Sequence, residues 1–444
     1  MDLDLKTAAV AAEGRAIGAD IRLSGFCLDS RRVSVGNLFV ALAGKHVDGH
    51  DFVEQAARQG AAAALVERRL PLDVAQILVD DVALALGRIA RYWRSQLDVG
   101  LVGITGSNGK TTVKEMIDSI LSRVGPTLAT VGNYNNELGV PLTLGRLDAE
   151  HRYAVVEMGC GQPGDIRYLA ELAAPQVGVV TNAGPAHLER LGSIEGVART
   201  KGELFESLPD QGVAVINRDD DYADYWFGLS RHCARISFGR SSQADVRDRD
   251  GAGPVLGVDT PIGPIETRLA LPGAHNRMNA LAATAAAIAL DIPAEQIAAG
   301  LAEVRGLPGR LEAHPTAAGW TLIDDTYNAN PASLYAGLKV ISESGGEAWL
   351  VLGDMAELGG ESEKMHAEMG QSAADLGVKR LFAVGRESQA AVFAFGQGAR
   401  HYGSHSELAA DLGAAVHEGV ICLVKGSRSS AMETIVQDLI GEAC

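Results

Sequence analysis

Residues 103–112 read Gly-Ile-Thr-Gly-Ser-Asn-Gly-Lys-Thr-Thr. The apolar run Val99-Gly100-Leu101-Val102 precedes them, and a helical pattern, Val113-Lys114-Glu115-Met116-Ile117, follows. Strand, glycine-rich turn, Lys-Thr and helix in that order form the layout of a nucleotide-phosphate cradle, which commits this stretch to an α/β unit. The glycines let backbone N–H groups approach phosphate oxygens, and the helix N-terminus adds its partial positive charge. Thr105, Gly106, Ser107, Asn108 and Gly109 are the expected cradle, with Lys110, Thr111 and Thr112 opening the helix. Lys110 would neutralise the outer phosphates, and the Thr111 hydroxyl would ligate Mg²⁺. One position departs from the usual spacing: Ile104 stands where a glycine is expected, five residues before Gly109. A glycine-rich turn that binds nothing is the alternative, and the agreement of strand, Lys-Thr and helix argues against it.

A chain of 444 residues exceeds one ordinary core, so two to four domains are expected. The net charge of −17, with no Lys/Arg cluster, argues against a nucleic-acid partner, while leaving room for small anions held by local basic groups. The cysteines Cys27, Cys160, Cys233, Cys422 and Cys444 form no Cys-x-x-Cys pair, so zinc or dithiol chemistry is not expected. Scattered thiols suit a reducing cytosol, and the start, Met1-Asp2-Leu3-Asp4, carries no signal-peptide pattern; a cytoplasmic location is expected. The longest apolar stretch, Ala280 to Leu290, is too short to span a bilayer, so no stable membrane insertion is expected.

Three regions separate. Residues 1–98 alternate short apolar runs (Leu38–Leu42, Ala61–Val66, Ile77–Val79) with helical segments (Phe52–Gly60, Val82–Gln96), as a small α/β unit does. Residues 99–311 contain the continuous runs Tyr153–Val156, Val177–Val180 and Val213–Ile216, which fit strands buried on both faces of a parallel sheet. Helices are expected at Asp165–Ala173, Ile194–Leu208, Asn276–Ala289 and Pro293–Leu301. The Gly-, Pro- and Asp-rich stretch Asp245–Leu271 is expected to append antiparallel strands. Residues 312–444 alternate apolar runs at Thr321–Ile323, Trp349–Leu352, Leu381–Val384 and Ile421–Val424 with helices, the pattern of a doubly wound, Rossmann-like domain. Gly306-Leu307-Pro308-Gly309 is the expected hinge into it.

Several polar residues fall at strand ends, where the ligand crevice of an open α/β sheet lies. Glu157 ends one strand and either holds a nucleotide's Mg²⁺ or is a solvated strand end. His187 follows another strand through Asn182–Ala186 and is a second candidate. Lys201 sits mid-helix, where a solvated lysine with an i,i+4 partner is the simpler expectation. Asn133, Asn135 and Asn136 either build turns or donate to sugar and phosphate oxygens. Arg310, beside the hinge, is placed to reach a γ-phosphate and stabilise transferring charge.

These motifs, in order along essentially the whole chain, resemble the Mur ligases of peptidoglycan synthesis and their folylpolyglutamate synthetase relatives. Gly-x-Thr-Gly-x-x-Gly-Lys-Thr is similar to that family's own phosphate loop, which accounts for Ile104. Val156-Glu157-Met158-Gly159 and Ala186-His187-Leu188-Glu189 resemble its metal-binding segments. Thr200-Lys201-Gly202-Glu203 resembles the segment whose lysine is carbamylated in several members, which reverses the expectation for Lys201. His275-Asn276-Arg277-Met278-Asn279 resembles the adenine-contacting motif, so Asn276 and Asn279 join the expected ATP site. Gly309-Arg310-Leu311-Glu312 and Asp324-Asp325 resemble the third-domain contacts to the nucleotide, which implicates Asp325. Asp325–Pro331, Leu352–Gly359 and Lys425–Ser429 resemble the D-alanyl-D-alanine-adding members. Asp29-Ser30-Arg31 and Gly44–Phe52 resemble a uridine-binding segment. The Asp-Asn-Pro-Arg signature of the diamino-acid-adding members is absent.

The resemblance implies ATP and Mg²⁺ as cofactors, with UDP-N-acetylmuramoyl-tripeptide and D-Ala-D-Ala as substrates joined through an acyl phosphate. It implies Thr111, Glu157, His187 and carbamylated Lys201 as metal ligands, and Lys110, Lys201, His187 and Arg310 as the catalytic set. Ser30, Arg31, Lys45 and Asp48 would hold the uridine end, Asn133, Asn135 and Asn136 would face the muramoyl peptide, and Tyr327, Asn328 and Asn330, with Lys425 and Arg428, would receive the dipeptide. A monomer is expected. Two rivals remain: another amide ligase of the superfamily, such as a folylpolyglutamate synthetase, and an ATP-binding regulator that moves domains without joining substrates.

Overall fold

In a computed structural model, which describes residues 1–44, 46–251 and 253–441, the run before the glycine-rich turn is strand Gly100–Thr105, inside a nine-stranded sheet. The parallel part of that sheet runs, edge inward, Thr127–Ala129, Tyr153–Glu157, Gly100–Thr105, Val177–Val180, Val213–Asn217, Ala234–Gly239 and Val246–Asp248. Successive side chains alternate between its two faces, as the period of two requires. Val102, Ile104, Val155, Val177 and Val179 join one core with helices Lys110–Ser122, Ala274–Ile288 and Ala294–Glu303. Leu101, Ala154, Val156 and Val180 join the opposite core with helices Asp165–Ala173 and Ile194–Glu206. Burial on both faces explains why these strands read as unbroken apolar runs.

The appended strands differ from the expectation at one point. Val255–Asp259 and Ile265–Arg268 are antiparallel, but Val246–Asp248 pairs in parallel with Ala234–Gly239 before the sheet reverses.

Ahead of this sheet lies a five-stranded one, ordered Arg15–Ile17, Ala75–Leu78, Ala63–Val66, Leu38–Val40 and Phe26–Cys27, antiparallel only at Arg15–Ile17. Helix Val82–Ser95 covers it and ties it to the central sheet. The buried Arg94 donates to the carbonyls of Ala173, Leu97 and Val99 at 3.1, 2.9 and 2.9 Å, and Trp93 Nε1 donates to Leu147 O at 2.9 Å.

The last sheet has six strands, in the order Glu312–Pro315, Thr321–Asp325, Val420–Lys425, Glu347–Leu352, Arg380–Val384 and Ala399–Tyr402, with only the first antiparallel. Helices Pro331–Ser342, Ser362–Asp375 and Gln389–Phe395 pack on one face; His405–Ala415 and Glu433–Gly441 pack on the other. This is a doubly wound arrangement. Strands Glu312–Pro315 and Ala399–Tyr402, unmarked by long apolar runs, complete its two edges.

Candidate active site

The carboxyl ends of the central and last sheets face one another across a cleft of about 2060 Å³. The glycine-rich turn forms its floor. Gly109 is the N-cap of helix Lys110–Ser122 with φ 82°, and a Cβ there would stand 2.4 Å from Asn279 Oδ1. At Gly106, φ 152°, a Cβ would stand 1.8 Å from Thr181 Oγ1. Only glycine fits either position. Neighbouring strand ends hold the turn rigid. Asn108 N donates to Asn182 Oδ1 at 3.0 Å, Asn182 Nδ2 and Thr181 Oγ1 donate to Asn108 O at 3.1 and 2.6 Å, and Ser107 Oγ donates to Gly184 O at 3.0 Å. Lys110 Nζ reaches back to Gly106 O at 2.8 Å. Burial first, and the positive Lys201 second, push the Lys110 ammonium down to about 8, against the pull of Glu157. Thr112 is buried in the first helical turn, and Thr105 lies beneath the turn with its Oγ1 buried and without a hydrogen-bond partner among the described residues.

Glu157 is a buried carboxylate, not a solvated strand end: Oε2 accepts from Thr111 Oγ1 and Oε1 from Asn135 Nδ2, both at 2.8 Å. Lys201 likewise departs from the solvated expectation. It is 2% exposed, and its Nζ lies 3.7 Å from the Cys160 sulfur. His187 lines the cleft with φ 55°, and its Nδ1 pairs with Glu357 Oε2 from the last sheet's side. Burial holds the His187 imidazole below its ordinary range, with Glu357 opposing and Lys201 and Lys110 reinforcing. The Thr111 hydroxyl and the Glu157 carboxylate, at contact distance on the cleft wall, offer the oxygen ligands a hard divalent cation takes, with the His187 imidazole on the same cleft. The glycine cradle and the buried lysine suit phosphate. The residues present therefore fit Mg²⁺ and ATP.

Of the three asparagines, Asn135 serves Glu157, whereas Asn136 Oδ1 accepts from Gly139 N at 2.9 Å and builds the turn; Asn133 and both others line the cleft. Asn276 and Asn279 are buried under the turn, where Asn279 Nδ2 donates to Asn276 Oδ1 at 3.1 Å.

The last sheet's loops supply the opposite wall. Arg310 Nη2 donates to Thr111 Oγ1 at 2.9 Å, and its guanidinium lies 4.0 Å from the centre of the Tyr327 ring. Lys425 Nζ donates to Asp325 Oδ2 at 2.5 Å and to Asn328 O at 3.0 Å. Asn330 caps helix Pro331–Ser342 and donates through Nδ2 to Asn108 Oδ1 at 2.8 Å, a second bond between the two walls. Arg428 pairs with Glu433 Oε1 at 3.2 Å, and Glu433 Oε2 is buried with no hydrogen-bond partner among the described residues.

The structure does not bring the expected uridine-binding residues onto this wall. Ser30 is buried and donates to Gln55 Oε1 at 3.2 Å, Arg31 pairs with Asp29 at 2.9 Å, and Asp48 accepts from Arg68 at 2.8 Å and contacts His50 Nδ1 at 2.7 Å. Lys45 lies outside the described residues. Residue-by-residue reading of the sequence missed Asn182, Thr181 and Glu357. A polar residue just past an apolar run was the available signal for the first two.

Three family models match successive parts of the chain: "Mur ligase family, catalytic domain" over residues 22–94, "Mur ligase middle domain" over 104–287 and "Mur ligase, glutamate ligase domain" over 309–428. A UDP-N-acetylmuramoyl-tripeptide–D-alanyl-D-alanine ligase of Escherichia coli is 42% identical over 96% of both chains. The crystal structure of MurF from Acinetobacter baumannii superposes with a TM-score of 0.93 at 35% identity, covering 99% of both chains. MurF ligase from Thermotoga maritima in complex with ADP gives 0.85 at 28% identity, covering 94% of this chain and 97% of that one. The chain belongs to the Mur ligase family.

Proposed function

We propose that the chain is an ATP-dependent C–N ligase that joins D-Ala-D-Ala to the terminal carboxylate of UDP-N-acetylmuramoyl-tripeptide, giving the pentapeptide, ADP and phosphate. Similarity over nearly full length to ligases that bear this name supports the substrate pair. The observation that carries the chemistry is the chain of contacts Arg310–Thr111–Glu157, in which a guanidinium from the hinge segment leading into the last sheet meets the first helical turn of the phosphate cradle. A carboxylate resists amine attack because its leaving group is poor. Transfer of a γ-phosphoryl to it gives an acyl phosphate, whose carbonyl the dipeptide amine attacks as phosphate departs.

Each residue has a task in this reading. The turn 105–109 would hold phosphate oxygens through the N–H groups it does not spend on Asn182, which takes those of Ser107 and Asn108. Lys110 and Arg310 meet the charge that develops on the transferring group from two sides. Thr111, Glu157, His187 and Lys201, the last as a carbamate, would hold Mg²⁺. Two such ions, when bound, neutralise the crowded oxygens and polarise the phosphoryl, the Lys201 carbamate serving the second. A carbamate at Lys201 would replace a buried cation, beside Lys110, by an anion. Asn276 and Asn279 would face the adenine, and Asp325 the ribose side. Asn133, Asn135 and Asn136 would face the muramoyl peptide, and Tyr327, Asn328 and Asn330 the dipeptide. Bonds from Arg310 and Asn330 to the cradle join the two walls, and closure of the last region over the central one would keep water from the acyl phosphate.

We assign residues 1–98 to the uridine end, through Ser30, Arg31, Lys45 and Asp48, residues 99–311 to ATP and residues 312–444 to ligation. Among the described residues no helix is long and apolar enough to cross a membrane; we place the work of this monomer in the cytoplasm. The test is phosphate release from ATP with UDP-N-acetylmuramoyl-tripeptide, with and without D-Ala-D-Ala. Release that requires both is expected. Release indifferent to the dipeptide would instead favour an ATP-driven regulator.

A further inference from the structure

Glu357 stands on the last sheet's side of the cleft, after strand Glu347–Leu352, yet its Oε2 meets Nδ1 of His187 on the central sheet's side. Both residues hold positive φ, 63° and 55°. Non-glycine residues keep that conformation only where their surroundings over-determine it. Those surroundings are visible. The short helical turns that follow, Leu188–Leu191 and Gly359–Glu361, pack on each other, and a Cβ on Gly359 would stand 3.6 Å from Glu189 Cα. The pair is thus the centre of two docked turns rather than a lone surface ion pair.

A carboxylate that accepts from Nδ1–H fixes the tautomer in which Nε2 keeps its lone pair, the form that ligates a metal, and it fixes the ring's orientation too. We infer that Glu357 is a positioning residue: it readies His187 as a metal ligand, and only when the last domain is docked on the central one, so that docking and metal affinity are coupled. The inference rests on the proposed role of His187 as ligand. It names a carboxylate supplied across the cleft, by a different sheet from the one that carries the ligand itself.

The test is Mn²⁺ titration of the full chain by electron paramagnetic resonance, in the presence of adenylyl imidodiphosphate. Wild type is compared with Glu357→Ala, Glu357→Gln, His187→Ala and the Glu357→Ala/His187→Ala double variant, each checked by thermal melting. Loss of such an outer partner weakens metal binding by about 10–100-fold, which is the expectation for Glu357→Ala. The Glu357→Gln variant keeps an acceptor but loses the charge, so a smaller loss, still roughly threefold or more, is expected. It also serves if the alanine variant does not fold. In the His187→Ala background, removing Glu357 should change nothing further. Glu357 variants that bind Mn²⁺ as wild type while His187→Ala does not would overturn the inference and leave the ligand role standing. Losses that simply add in the double variant would overturn it as well. If His187→Ala itself binds Mn²⁺ normally, the ligand role fails and the inference with it.

Discussion

Replacing Arg310 by alanine removes two contacts and one charge. The hydrogen bond to Thr111 Oγ1 at 2.9 Å joins the last domain to the cradle, and the Tyr327 ring, 4.0 Å from the guanidinium, holds the side chain in that direction. In the resting protein these contacts contribute about 1–3 kcal/mol, a charged hydrogen bond plus a partly exposed cation–π pair. In the proposed phosphoryl transfer the same guanidinium would face growing negative charge, where loss of one preorganised donor costs about 3–4 kcal/mol of barrier, or a factor of about 10²–10³ in kcat. Lysine keeps the charge but not the planar fork or the stacking, so Arg310→Lys should fall between, about tenfold or more below wild type. The assay is steady-state phosphate release with saturating tripeptide and D-Ala-D-Ala, read together with KM for ATP and the melting temperature. The loss should lie in kcat, with KM for ATP changed by less than about fivefold, because the contact strengthens in the transition state. Arg310→Ala with kcat within about threefold of wild type, or a loss confined to KM, would refute the role assigned to this side chain.

Four further outcomes follow from the same geometry. Lys110→Ala should abolish ligation, and near-normal turnover in that variant would refute the cradle's charge-neutralising lysine. Gly109→Ala adds a Cβ 2.4 Å from Asn279 Oδ1 at φ 82°, so ATP binding measured by calorimetry should weaken by about tenfold or more; unchanged affinity would mean that the turn is more plastic than its packing indicates. Arg94→Ala leaves the carbonyls of Ala173, Leu97 and Val99 without their donor and should cost about 3 kcal/mol in chemical denaturation. Burial, with Lys425 second, lowers His275 to about 4, so the unfolded chain binds its proton first as pH falls. Stability from this group is therefore whole above pH ~6.5 and drains away towards pH ~4, by up to about 3 kcal/mol, and His275→Gln should flatten the melting temperature across that window.

The parts of the fold that could be read from sequence are those whose signal is local. Strands buried on both faces give unbroken runs such as Val177–Val180, and a glycine turn followed by Lys-Thr fixes its own neighbours. Strand Ala234–Gly239 escaped because Arg235 and Ser237 break its run, and Glu312–Pro315 because an edge strand carries polar residues on its open side. Parallel pairing of Val246–Asp248 escaped because a three-residue strand states no direction. In the site, Glu157 was legible as a strand-end carboxylate, but its two partners, 22 and 46 residues away, were not. Lys201 shows the limit most clearly. One residue in a helix with a polar neighbourhood reads as solvated, and only the packing of the helix against the sheet reveals that it is buried. Arg310 meets Thr111 across 199 residues of chain, and Glu357 meets His187 across a cleft; no spacing encodes either.

Activation of a carboxylate by phosphorylation at the cradle is the central step of the proposed reaction. It can be tested with UDP-N-acetylmuramoyl-tripeptide whose terminal carboxylate carries ¹⁸O, by mass spectrometry of the phosphate released during ligation to D-Ala-D-Ala. An acyl phosphate leaves one carboxylate oxygen on phosphorus when the amine displaces it, so phosphate bearing one ¹⁸O is predicted. Ligation that releases only unlabelled phosphate would contradict the account.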